Sequence, residues 1–80
     1  MINEEQIEQL IDKVEEKPEV VKEELMTSLK MVIKMMKATG KSPSEEQELY
    51  KWMRDTDVSE NTEEFQERLQ EWFDNRSDIF

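Results

Sequence analysis

Residues 18–38, which read PEVVKEELMTSLKMVIKMMKA, are the stretch that decides the fold. A proline at the first position and Gly40 two residues beyond the last are typical of a helix start and a helix stop. Apolar residues recur at helical spacing and cover well over half of the circumference, which predicts the central helix of the domain. Its main apolar stripe is Val21, Leu25, Leu29, Val32 and Met36, and Met26 and Ile33 widen that stripe on one side.

One helix is predicted before this central helix. It begins after Asn3, which has capping-box spacing to Gln6, and ends at Lys17, since the residue before a proline avoids the helical region. Ile2 and Ile7 stand where a hydrophobic staple belongs. The core stripe of this helix is Ile7, Leu10, Ile11 and Val14.

Two further helices are predicted in the second half of the chain. Helix 3 begins after Ser42, with Pro43 in its first position and Glu45 in capping-box position. Helix 4 begins near Asn61, with Glu64 in the matching position. The inward-facing residues are Leu49, Trp52 and Met53 on helix 3, with Tyr50 at its edge, and Phe65, Leu69, Trp72 and Phe73 on helix 4.

These elements predict an all-α fold, a small compact bundle of three to four helices that forms one domain over residues 1–80. The short connections favour an antiparallel, up-and-down order of the helices. Ile79 and Phe80 are apolar, and the sequence leaves open whether they dock on the body of the domain or on a partner.

The composition excludes most kinds of catalytic site. The chain has no histidine and no cysteine, so it lacks the commonest general base, the commonest metal ligand and any thiolate. No nucleophile–base pair can be assembled from its serines and lysines, and a single glycine leaves no phosphate-cradling loop. We therefore expect a protein that is not an enzyme and that uses no cofactor or metal.

The charge balance indicates which partners to expect. The chain has 21 acidic and 11 basic residues and a net charge of −10. Direct binding of nucleic acid or of an anionic membrane needs clustered Lys and Arg, so both are disfavoured. No apolar run approaches the roughly 18 residues of a membrane span, and the first residues lack the basic start of a signal peptide. We expect a cytoplasmic protein whose partner is a protein with a basic surface.

Acidic residues are concentrated on one arc of helix 1 and one arc of helix 4. On helix 1 they fall at i, i+4 spacing, where each like-charge pair costs a few tenths of a kcal/mol, roughly 0.2–0.5. The arcs are either solvated faces that aid solubility or recognition faces for a basic partner. The predicted partner-binding residues are Glu4, Glu8, Asp12, Glu15 and Glu16 on helix 1 and Glu63, Glu67 and Glu71 on helix 4.

The central helix has a different surface. Residues 25–41 contain four lysines and no acidic residue, which suits the negative end of the helix dipole and pairing with acidic neighbours. A patch that binds phosphate or acidic groups is the alternative. Val20, Met31 and Met35 fall on the far side of the helix from its main stripe. They are either core residues under a neighbouring helix or an apolar strip for a partner helix or a second copy.

The segment Asp55-Thr56-Asp57-Val58-Ser59 resembles the start of an EF-hand calcium loop. The resemblance then fails, because Glu60 replaces the glycine that the turn needs and Gln66 replaces the bidentate glutamate. We interpret the segment as a polar turn between helices 3 and 4.

Three functions agree with these patterns. The first is a small acidic protein-binding module, a regulator or inhibitor of a partner protein, in which the acidic faces steer association and an apolar patch supplies affinity. The second is a nucleic-acid mimic, such as a phage or mobile-element inhibitor, that blocks the DNA- or RNA-binding site of a nuclease or transcription protein. It requires both acidic faces on one side of the protein. The third is a homodimeric structural protein.

Overall fold

The computed structural model describes residues 4–76 as four α-helices joined by short connections. The helices are α1 (Glu4–Glu16), α2 (Pro18–Ala38), α3 (Ser44–Asp55) and α4 (Thr62–Asn75). The prediction of an all-α, small compact bundle is confirmed. Residues 1–3 and 77–80 lie outside the described residues, and so do the expectations for Ile2, Asn3, Ile79 and Phe80.

The bounds predicted for α2 are confirmed. Pro18 is its first residue, and the chain leaves the helix after Ala38 through Gly40, whose φ is +75°. The Gly40 amide donates to Lys37 O at 3.2 Å and the Lys41 amide donates to Met36 O at 2.8 Å. This pair of bonds is a Schellman motif, which needs a left-handed residue that glycine adopts without a Cβ penalty.

The capping boxes predicted for α3 and α4 are wrong. Helix α3 begins at Ser44, one residue later than predicted, with Pro43 in the cap position and no hydrogen bond from a capping side chain. Asn61 is the cap residue of α4, as predicted, but its side chain does not cap the helix. Asn61 Nδ2 donates instead to Asp57 O at 2.8 Å, because the preceding turn brings that carbonyl within reach.

The helices follow one another around the bundle. Each packs against the next one in the chain, and α1 packs against α4 to close the arrangement. Lys22 Nζ donates to Thr56 O at 3.2 Å, and Lys30 Nζ lies 5.8 Å from the centroid of the Tyr50 ring. Residue numbers thus rise along α2 as they fall along α3, so these two helices are antiparallel.

The core lies between the four helices and follows the predicted stripes. The Cα atoms span 36 × 28 × 17 Å, and since helices pack at roughly 8–10 Å, the shortest extent holds only two layers. Every helix therefore keeps one face towards solvent. Val32 of the predicted α2 stripe is only partly buried. The buried apolar residues are Val14, Val21, Leu25, Leu29, Met36, Leu49, Met53, Val58, Phe65, Leu69, Trp72 and Phe73.

The turn between α3 and α4 contributes to this core, which its polar sequence did not indicate. Val58 is fully buried and belongs to the same apolar cluster as the helices. Asp57 shapes the turn, since its Oδ1 accepts from the Ser59 amide at 3.1 Å and from the Ser59 hydroxyl at 2.6 Å. These bonds lower the pKa of Asp57 from its ordinary value. The segment is a polar turn with one apolar anchor.

The contact between α3 and α4 is less extensive than the other contacts between neighbouring helices, and it contains a buried carboxylate. Glu46 is 0% exposed. Its Oε2 accepts from Trp72 Nε1 at 2.7 Å and from Arg76 Nε at 2.6 Å, while Oε1 accepts from Arg76 Nη2 at 3.1 Å. This network ties the first turn of α3 to the C-terminal end of α4, so these helices are also antiparallel.

The protonation state of Glu46 is set by two opposing effects. Burial by itself raises the pKa of a carboxyl group, because it disfavours the charged form. The hydrogen bonds from Arg76 and Trp72 outweigh burial and hold the pKa of Glu46 below its ordinary value. Glu46 is therefore an anion at neutral pH, and its charge is matched by the guanidinium of Arg76.

Replacing Glu46 should destabilise the domain far more than replacing its neighbour. In Glu46→Gln the charge-assisted bonds are lost while Trp72 and Arg76 remain partly enclosed, so we expect a loss of about 2–4 kcal/mol in the free energy of unfolding. Urea denaturation followed by circular dichroism measures this loss. Glu45→Gln is the matched control, because Glu45 lies 3.5 Å from the same arginine but its side chain is 46% exposed. Equal losses in the two variants would contradict a special role for Glu46.

The stabilisation by Glu46 should depend on pH in a defined direction. Because the pKa of Glu46 is lower in the folded protein than in the unfolded chain, its contribution is complete above the ordinary glutamate pKa. It is lost as the pH falls through the lower pKa of the folded state. The difference in unfolding free energy between the wild type and Glu46→Gln should thus be constant near neutral pH and shrink in acid. A difference that grows on acidification would show that the pKa is raised instead.

Candidate binding surfaces

The acidic arcs of α1 and α4 belong to neighbouring helices. We call them together the acidic seam, because the two helices pack directly against each other. All of its carboxylate side chains are exposed, including every acidic residue predicted to bind a partner. The acidic seam consists of Glu4, Glu5, Glu8, Asp12, Glu15 and Glu16 of α1 and Glu63, Glu64, Glu67, Glu71 and Asp74 of α4.

A hydrogen bond marks the line along which the two helices meet. Gln66 Nε2 donates to Ile11 O at 2.9 Å, so these residues lie on the facing sides of α4 and α1. From this line of contact, one can go around each helix towards solvent, away from the core. The next positions on both helices are acidic. Both arcs therefore lie beside the line where α1 and α4 meet, on one side of the protein. The residues nearest this line are Glu4, Glu8 and Glu15 on α1 and Glu63, Glu67 and Asp74 on α4.

The acidic seam carries almost no compensating charge. Within residues 4–76, the Glu64 carboxylate alone among its members lies within 4.0 Å of a basic nitrogen, at 3.3 Å from Arg68 Nε. Arg68 is also held over the ring of Trp52, 4.7 Å from its centroid. Lys13, the basic residue of α1, lies on the other flank and pairs with Glu24 of α2 at 3.4 Å. The seam therefore presents an excess of negative charge to solvent.

The predicted apolar strip lies on the solvent-facing side of α2. The exposed fractions are 40% for Val20, 63% for Met31 and 66% for Met35. These residues follow one another by eleven and four positions, which places them on one line along the helix. We call them the α2 strip. No neighbouring helix within residues 4–76 covers them, so the alternative of core packing is wrong for these three residues.

A shallow open groove lies beside the α2 strip. It has a volume of about 400 Å³ and lies between α2 and the Tyr50 ring of α3. Lys30 and Lys34 are among its lining residues, so the groove combines apolar side chains with positive charge. The lining residues are Lys30, Met31, Ile33, Lys34 and Tyr50.

Another groove, which the sequence analysis did not indicate, lies between α3 and α4. Its volume is about 190 Å³, and it lies against Trp72 near the Glu46 network. Acidic side chains of both helices and the guanidinium of Arg68 line it. Because opposite charges already face each other there, the groove presents no strong field of one sign. Its lining residues are Glu45, Glu48, Leu49, Arg68, Glu71, Trp72 and Asn75.

Across residues 4–76, no group of three or more His, Cys, Asp or Glu side chains is arranged to hold a metal ion. The buried carboxylate of Glu46 is fully engaged by Trp72 and Arg76, so it serves the fold. None of the helices within the same range is long and apolar enough to cross a membrane.

The sequence analysis missed Glu46, although a signal for it exists. Glu46 stands three residues before Leu49 and seven before Met53, so helical periodicity puts it on the inward stripe of α3. Its partner Arg76 follows the last turn of α4. An acidic residue on a core stripe and a basic residue or tryptophan on a facing helix together indicate a buried, paired carboxylate.

Comparison with known proteins gives no relative from which a function could be transferred. No protein-family model, curated protein or solved structure matches this chain.

Proposed function

We propose that this protein is a small acidic binding module that regulates or inhibits a protein partner by covering a basic surface on it. The observation that carries the proposal is the acidic seam. Eleven exposed carboxylates lie on α1 and α4, two helices that pack directly against each other, with Arg68 as their one close basic partner within residues 4–76. Such a field accelerates association with a basic surface and rejects acidic ones.

The way these charges are distributed supports recognition more than solubility alone. Solubility needs net charge, which mixed surfaces with a moderate excess also provide. Here Glu4, Glu8, Asp12 and Glu16 follow each other at i, i+4, so α1 carries like-charge repulsion along its whole length. Helix α4 repeats the pattern at Glu63, Glu67 and Glu71. Two neighbouring helices that share this arrangement favour a surface that recognises a partner.

Mimicry of nucleic acid is the second candidate, and the charge density of the seam favours it. A helix of 13 residues, the length of α1, rises about 20 Å. A DNA duplex carries about 12 charges over that distance. The acidic seam carries 11 carboxylates on two adjacent helices of about this length. Under this second hypothesis, the partner is a nuclease or a transcription protein, and the acidic seam occupies its nucleic-acid channel.

Charge reversal within the acidic seam should remove partner binding. The wild type and Glu8→Lys/Glu15→Lys are immobilised and used to capture proteins from an extract of the organism that makes the chain. We expect a basic protein that the wild type retains and the variant loses, because lysines at these two positions of the acidic seam repel a basic surface. Lysine and glutamate have similar helix propensities, so the fold should persist.

The control for this experiment is Glu19→Lys/Glu48→Lys. It makes the same change in net charge at exposed positions of α2 and α3, outside the acidic seam. The control should retain the partner as the wild type does. If the seam variant retains the partner equally well, the acidic seam is not the binding surface. If both variants lose it, net charge and not the seam determines binding.

Competition with nucleic acid then separates the two candidates. Under mimicry, DNA or RNA displaces the protein from the purified partner, and the affinity falls steeply as salt is raised, as it does for nucleic acid itself. Under recognition of another basic surface, the partner binds the protein and its nucleic acid at the same time. A ternary complex in gel filtration would therefore exclude mimicry.

A further inference from the structure

The solvent-facing side of α2 carries the exposed large apolar side chains of residues 4–76, among charged ones. The large apolar side chains that residues 4–76 leave exposed are Val20, Met31 and Met35, and all three belong to the α2 strip. Single exposed apolar residues are ordinary on protein surfaces. Met31 and Met35 are one turn apart, and Val20 lies on the same line about three turns earlier, with Glu24 and Thr27 between them. Exposed apolar groups on one face are typical of interfaces.

Charge restricts what can cover the α2 strip. The net charges of the helices are −5 for α1, −2 for α3 and −4 for α4. Helix α2 has four lysines against three glutamates, so it carries +1 and differs in sign from the other described helices. Two copies of this protein, each with a net charge of −10, would repel each other across any of the other helices. Across α2 this repulsion is smallest.

The charges of α2 are also separated along its length. Its glutamates occupy the first two turns, at Glu19, Glu23 and Glu24, and three of its four lysines occupy the second half, at Lys30, Lys34 and Lys37. When two such helices lie antiparallel, the acidic half of each faces the basic half of the other. Twofold symmetry makes this match reciprocal.

We propose that the occupant of the α2 strip is a second copy of this chain, in a homodimer whose α2 helices pack antiparallel about a twofold axis near Leu29. In this register every facing position lies on the exposed side of α2. Small residues stand opposite larger ones and allow the helices to approach closely. The reciprocal pairs are Val20 with Ala38, Thr27 with Met31, and Glu24 with Lys34.

The existing contact of Glu24 does not oppose this arrangement. Glu24 lies 3.4 Å from Lys13 of its own chain, and the two side chains are 56% and 39% exposed. Exposed pairs of this kind contribute little, and the carboxylate can turn towards Lys34 of the second copy. The acidic seam also stays free in the dimer, because its α4 arc lies across the bundle from α2 and its α1 arc lies on the α4 side.

The interface is small, so the dimer should dissociate readily. Helix α2 has 21 residues and is about 31 Å long. One helix from each copy buries less than the roughly 1,600 Å² of a standard interface. We therefore expect a concentration-dependent equilibrium between monomer and dimer. Sedimentation equilibrium of the whole chain over a wide range of concentrations measures it.

Charge exchange at the proposed pair tests the arrangement. Glu24→Lys alone and Lys34→Glu alone should each weaken self-association about tenfold or more, because like charges then face each other twice. A mixture of the two variants should form a heterodimer, since opposite charges face each other again at both places. Both variants keep a strongly negative net charge, so their net charges repel each other. Their association would therefore depend on the pairs formed by residues 24 and 34.

The matched controls are Glu48→Lys and Lys51→Glu, which change the same charges at exposed positions of α3. They should dimerise like the wild type, and mixing them should add nothing. A wild type that is monomeric at every concentration would overturn the proposal. A dimer that the variants at Glu24 and Lys34 leave unchanged would also overturn it, since the copies would then meet at another surface.

Discussion

The buried carboxylate of Glu46 holds α4 in its place. Helices α3 and α4 contact each other less extensively than the other neighbours do, and the Glu46 carboxylate joins them through Trp72 and Arg76. With α4 fixed at this edge, its other side packs against α1 and closes the bundle. The relation between α1 and α4 brings the two acidic arcs together. The Glu46 network therefore supports one side of α4, while the direct contact of α4 with α1 places the acidic arcs side by side.

Most of the fold could be predicted from the sequence, because periodicity and helix-breaking residues agree. Pro18 and Gly40 bound α2 where expected, and the stripe of α4 from Phe65 to Phe73 is buried. The capping boxes of α3 and α4 were wrong, since a favourable spacing does not ensure that the side chain bonds there. Val58 was missed because it stands in a polar turn, and Glu46 was missed because glutamate is normally exposed, although its position on the stripe of α3 indicates burial.

The candidate surfaces could be predicted only in part. The exposed positions of Met31 and Met35 and the acidic arcs of α1 and α4 follow from helical wheels. Whether the two arcs share one side of the protein depends on which helices adjoin, and that order is set by packing. The surface of the protein is thereby divided into an acidic side and a side with exposed apolar residues. Acidic charge gathers along α1 and α4, whereas the α2 strip lies on the helix with a small positive charge.

The central claim is that the acidic seam is available to a partner because it does not hold the fold together. The free energy of unfolding of Glu8→Gln/Glu15→Gln, measured against the wild type at low and at high salt, tests this claim most directly. Removing two charges from a repulsive arc should stabilise the protein by about 0.5–1 kcal/mol at low salt, and salt should reduce the gain by screening. A less stable variant would show that these carboxylates serve the fold, which contradicts a seam that is free for a partner.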